Sequence, residues 1–87
     1  MKSKLSIDTR GSKRWKLPNG NLHREDGPAI EYSNGDKSWY INGLRHREDG
    51  PAIEYSDGDK DWFINDTYYT EKGYKIEIRS RKLKKLL

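Results

Sequence analysis

His23-Arg24-Glu25-Asp26-Gly27-Pro28-Ala29-Ile30-Glu31-Tyr32-Ser33 returns letter for letter as His46 through Ser56. Its continuation, Asn34-Gly35-Asp36-Lys37-Ser38-Trp39-Tyr40-Ile41-Asn42, returns as Asp57-Gly58-Asp59-Lys60-Asp61-Trp62-Phe63-Ile64-Asn65, so one 23-residue unit is written twice. A partial earlier copy stands upstream, where Gly11-Ser12-Lys13-Arg14-Trp15 matches Gly35 to Trp39. Leu17-Pro18-Asn19-Gly20-Asn21-Leu22-His23 then matches Ile41 to His46 with one residue inserted. A period this short marks a stack of small supersecondary units, each burying its apolar face only against its neighbours.

Within a unit the signals are those of β-hairpins. Ala29 to Ser33 places apolar and aromatic residues at period two, the spacing of a half-buried strand. Asn34-Gly35 and Asp57-Gly58 are strong hairpin signals, since a type I′ turn needs positive φ at both central positions. With such a two-residue loop, Ile30 and Tyr32 share one face with Trp39 and Ile41. Ile53 and Tyr55 likewise join Trp62 and Ile64. Ala29, Glu31, Ser33, Ser38, Tyr40 and Asn42 take the other face, mostly polar and wet. Asn42-Gly43 is a second turn signal, and His-Arg-Glu-Asp-Gly-Pro reads as a polar corner between hairpins.

The expected fold is therefore all-β with a short C-terminal helix: an elongated antiparallel meander of hairpin repeats. Residues 1–10 form a short strand or an arm. Residues 11–70 form the repeats, as a partial unit 11–22 and units 23–45 and 46–69. Residues 71–87 form a basic end, with a strand at Tyr74, Ile76 and Ile78 after a break at Gly73. A short amphipathic helix from Arg79 follows, with Leu83, Leu86 and Leu87 on one side. Asn65-Asp66 replaces Asn42-Gly43, as a capping unit allows.

Eighty-seven residues make one small domain, with 31% apolar and 37% charged residues and no cysteine. So short a chain buries only about 60–65% of its unfolded surface, so self-association or partner binding is an expected source of stability. No Cys/His cluster has metal-ligand spacing, and no cofactor motif is present. No apolar run suits a secretion signal, and none approaches the roughly 18–20 residues of a membrane span. A cytoplasmic protein is expected. The net charge of +4 divides into basic ends and an acidic middle, which suits solubility and end-to-middle pairing or a polyanion-binding patch.

His23 and His46 with Asp26 and Asp49 are the one combination with the look of a general base. It is duplicated without divergence and has no nucleophile beside it, so a structural role is the stronger reading. The aspartates are then expected to cap the turns before Gly27 and Gly50, and the histidines to pack on tryptophan. Trp15, Trp39 and Trp62 read as a stacked core row, with a nucleobase platform as the alternative. Gly35-Asp36-Lys37 lacks the spacing of a phosphate loop. Lys16, Tyr40 and Phe63 form the row on the opposite face, and exposed aromatics there mark a surface for a partner or a second copy. Arg79, Arg81, Lys82, Lys84 and Lys85 form a basic tail, either solvated or in contact with a polyanion or an acidic protein.

The period, with Trp-Tyr-x-Asn-Gly followed by His-Arg-x-Asp-Gly-Pro-Ala, resembles the MORN-like repeats of phages, giant viruses and some bacterial antitoxin-type proteins. The resemblance covers Gly11 to about Tyr69. It departs from the common MORN repeat in one extra residue between Trp39 and Asn42, and in a longer corner where the common repeat has His-Gly directly. It implies a non-enzymatic binding or scaffolding module. The expected function is capture of a host or defence protein by occlusion, in host cytoplasm if phage-encoded. Tyr40, Phe63, Lys16, Arg24, Glu25, Arg47 and Glu48 would make the contacts. The alternative is nucleic-acid or nucleotide sequestration.

Overall fold

The computed structural model describes residues 2–85. Nine strands precede one helix: β1 Lys4–Ile7, β2 Lys13–Lys16, β3 Ile30–Glu31, β4 Lys37–Ser38, β5 Tyr40–Ile41, β6 Leu44–Arg45, β7 Ile53–Glu54, β8 Lys60–Ile64, β9 Thr67–Tyr69 and α1 Glu71–Lys85. Seven strands form an antiparallel meander in the order β1-β2-β3-β4-β7-β8-β9, and β5-β6 is a separate small hairpin. The body is a slab of 45 × 33 × 17 Å. Residues 2–10 do contribute a strand, with Leu5 opposite Trp15.

The repeat is visible as bonds spaced one period apart. Arg24 N–H donates to the Tyr40 carbonyl as Arg47 N–H does to that of Phe63. Tyr32 and Tyr55 close their hairpins on Asp36 and Asp59 in the same way. Ser33 N–H reaches Ser12 Oγ at 2.9 Å, and Ser56 N–H reaches Asp36 Oδ1 at 2.7 Å. Each unit is thus sewn to the one before it.

The hairpin register differs from the expectation. Ile30 pairs with Ser38 and Ile53 with Asp61. Gly35 N–H bonds the Tyr32 carbonyl, and Gly35 has φ of +98°. The loop is therefore three residues, Ser33-Asn34-Gly35, with glycine in the left-handed position that such loops require. One extra loop residue moves each return-strand side chain to the other face. The type I′ turn sits instead at Asn42-Gly43, with φ of 51° and 83°, between Ile41 and Leu44. Asn65-Asp66 keeps that turn without glycine, at φ of 49° and 69°. In the partial unit the inserted residue enlarges the same turn, and Leu17 N–H closes on Asn21 around Gly20.

Trp15, Trp39 and Trp62 still share one face, since Ser38, Ile53 and Asp61 align on the other. Their company is different: Ala29, Glu31, Ala52 and Glu54 accompany the tryptophans. Ile30, Tyr32, Ile53 and Tyr55 lie with Ser38, Tyr40 and Phe63.

The expected C-terminal strand does not form. Tyr74, Ile76 and Ile78 belong to α1, which starts at residue 71. Thr70 Oγ1 accepts from Gly73 N–H at 3.1 Å, an N-cap, and Glu71–Lys75 and Glu77–Arg81 pair one turn apart. Tyr74 and Ile78, four apart, are the buried residues of α1 and pack with Ile64, Trp62 and Tyr69. Ile76 is 62% exposed. The alternation at 74, 76 and 78 was a chance overlay on a helical pair at 74 and 78. Leu83 is exposed, and Leu86 and Leu87 lie outside the described residues.

Candidate functional site

Each His-Arg-Glu-Asp-Gly-Pro corner is built around its arginine. The Arg47 guanidinium carbon stands 3.8 Å from the Trp39 ring centroid, and that of Arg24 stands 3.8 Å from Trp15. Arg47 Nε donates to Asp49 at 2.9 Å; Nη1 donates to the Pro51 carbonyl at 3.0 Å and to Glu54 at 2.7 Å. Arg24 repeats this with Asp26 at 3.0 Å, Pro28 at 3.2 Å and Glu31 at 3.1 Å. The planar fork suits stacking and directed donation together. Glycine at 27 and 50 has a steric cause: a Cβ would lie 3.1 Å from Arg24 Cζ and 2.8 Å from Arg47 Cζ. Asp26 and Asp49 therefore bind arginine and do not cap the turns. Arg24 and Arg47, expected as partner contacts, are engaged within the chain, while Glu25 and Glu48 remain on its surface with side chains 80% and 55% exposed.

The histidines serve the next turn. His23 Nδ1 accepts from Asn42 N–H at 2.9 Å and His46 Nδ1 from Asn65 N–H at 3.0 Å. They thereby satisfy the N–H of each left-handed asparagine. The proton then sits on Nε2, which in His46 faces Glu48 at 3.0 Å. That bond, with Lys85 nearby, holds the Glu48 carboxyl below its usual range. Both ring nitrogens of His46 are engaged, and neither histidine pairs with the aspartate of its own corner.

Trp62 has no later corner to supply an arginine. Tyr74 stands in, its ring centroid 4.9 Å from that of Trp62. Its hydroxyl donates to the Arg47 carbonyl and accepts from Gly50 N–H at 3.3 Å. Burial pushes the Tyr74 phenol above its ordinary pKa. α1 thus closes the array, as terminal repeats must.

Among the described residues no element covers the opposite sheet face. Tyr32, Tyr55 and Tyr68 are 37%, 38% and 59% exposed there. Tyr40 and Phe63, the expected contact pair, are half-buried beneath Arg45, whose guanidinium carbon lies 5.9 and 5.3 Å from their rings. Tyr68 meets Phe63 edge-on at 5.7 Å, and Arg14 stands 5.9 Å from the Tyr32 ring. Tyr55 donates to Asp61 at 2.7 Å, which raises its phenol pKa. Lys16 is exposed at one end. The sequence missed Tyr32 and Tyr55 because their face follows from the three-residue loop, whereas Arg45 and Tyr68 come opposite Tyr40 and Phe63 through the two-residue turns at Asn42-Gly43 and Asn65-Asp66. Gly35 placed one residue before Asp36, in the pattern Tyr-Ser-Asn-Gly-Asp, was the available signal.

Of the basic tail, Arg81 is paired with Glu77 at 2.7 Å, which raises its pKa, and Lys85 reaches Glu48 at 3.6 Å. The tail thus leans on the acidic middle of the same chain. Arg79, Lys82 and Lys84 carry their charge elsewhere on α1. Among the described residues no helix is long and apolar enough to cross a membrane. Comparison with protein-family models, curated proteins and solved structures gives no match.

Proposed function

We propose that the chain is a non-enzymatic protein-binding module that occludes its target through the uncovered tyrosine and arginine face. The observation that carries this reading is the row Tyr32, Tyr55 and Tyr68 lying open among Arg14 and Arg45, with no element of the described residues packed over it. Tyrosine and arginine dominate interface hot spots, because each offers large contact area with directed polar ends. The engagement of both His46 nitrogens in structural bonds supports binding over catalysis. The MORN-like resemblance carries the finer reading, a small phage-type inhibitor of a host or defence protein.

The test uses the full chain as bait in a cell lysate, with nuclease treatment in parallel and mass spectrometry of what is retained. A Tyr32→Ser/Tyr68→Ser variant should lose the captured protein while its circular dichroism stays unchanged. Undiminished capture by the variant sinks this face as the interface. Capture that disappears after nuclease treatment sinks the protein reading in favour of nucleic acid.

A further inference from the structure

The two corners are identical in sequence, yet only one has its outer backbone groups occupied. At the second corner the Tyr74 hydroxyl bridges the Arg47 carbonyl and Gly50 N–H. At the first corner the equivalent groups are the Arg24 carbonyl and Gly27 N–H, and among the described residues neither bonds a protein group. They border an open groove of about 820 Å³ between the corners, floored by Trp39 and Ile41. Trp39 and Ile41 are the period equivalents of Trp62 and Ile64, which hold α1.

We infer that this groove is a second docking site, which takes a tyrosine carried on a basic helical segment of a partner protein. It lies on the tryptophan face, opposite the tyrosine face, and stands or falls independently of that surface. Three features select the occupant. A phenol hydroxyl is the group already seen bridging the same backbone pair one period later. Arg47 already covers one side of Trp39, so the guest ring meets Ile41 and the edge of the indole. Of the lining carboxylates, Asp26, Asp49 and Glu48 are already paired with Arg24, Arg47 and Lys85, whereas Glu25, 80% exposed with only His23 at 3.9 Å among the described residues, is left to receive a basic guest. The chain's own Lys85 on Glu48, at 3.6 Å, shows such a pair at the second corner.

The wall also differs in a way that sets specificity. Where Tyr69 packs against the cluster of Ile64, Tyr74 and Ile78 under α1, the first groove presents His46 bonded to Glu48. The guest residue four positions after the tyrosine should therefore be polar or basic. The chain's own helix is poorly matched to this groove, and its attachment in cis keeps it in its own place.

The probe is a synthetic peptide of residues 70–85 carrying Ile78→Arg, titrated into the full chain labelled for NMR. The Gly27 amide and Trp39 indole N–H should shift saturably at or below about 1 mM peptide. The same peptide with Tyr74→Phe should bind roughly three- to tenfold more weakly, the worth of one hydroxyl bridge. Glu25→Lys in the protein, at a side chain 80% exposed, should weaken binding further. The inference is overturned by no saturable shift at Gly27, or by equal binding of the phenylalanine peptide. It is equally overturned by shifts confined to Trp62 and α1, meaning helix exchange as between two copies, or confined to Tyr32 and Tyr55, meaning the other face.

Discussion

Replacing Gly50 with alanine adds one methyl group at a backbone position that does not have positive φ, so the chain itself tolerates it. The methyl would stand 2.8 Å from Arg47 Cζ, and the guanidinium has to move. It is the far end of a flexible side chain, but it is held between Gly50 and Trp39, and it donates to Asp49, Pro51 and Glu54. Moving it weakens a cation–π contact worth about 0.5–2 kcal/mol and a partly buried charged hydrogen bond worth about 1.5–3 kcal/mol. Partial loss of each amounts to roughly 1–2 kcal/mol, and for a domain this size each kcal/mol lowers Tm by about 4–8 °C. Thermal melts should show that drop, and Gly27→Ala, with its 3.1 Å approach, should cost less. The decisive measurement is a double-mutant cycle. In an Arg47→Ala background Gly50→Ala should be close to neutral. An undiminished cost there would refute the sandwich as the reason for glycine.

Raising the pH tests the capping helix. Burial raises the Tyr74 pKa above 10.0, so its stabilisation is complete below that value and is lost as pH rises through the folded pKa; Tyr74→Phe should flatten the alkaline limb in urea melts. Glu48 has its pKa lowered below 4.5 by His46, so its contribution is full above that value and fades as pH falls through the folded pKa; Glu48→Gln should flatten the acid limb. His23→Ala should cost about 1 kcal/mol in chemical denaturation by leaving Asn42 N–H without its acceptor. Gly35→Ala should cost about 1–3 kcal/mol because its φ of +98° strains any side chain. Gly73→Ala in the first turn of α1 should stabilise by about 0.5–1 kcal/mol, seen as a raised Tm, provided the Thr70 cap adjusts at 3.2 Å.

The sequence by itself determined the 23-residue period, the antiparallel hairpins, the common side of the tryptophans and the Asn42-Gly43 turn. All follow from local conformational preference and from identity at fixed spacing, which need no knowledge of distant contacts. The loop length at Asn34-Gly35 was beyond it, because that dipeptide serves both two- and three-residue hairpins, and the choice assigns every aromatic on the return strand to a face. The role of each arginine was hidden too. A polar corner looks solvated until folding brings Trp39 over Arg47 and Glu54 beneath it. Tyr74 was the furthest out of reach: only packing beside Trp62 and the second corner makes it a helical cap rather than a strand residue. Tertiary structure decided these points, since each depends on which groups meet once the chain has folded back on itself.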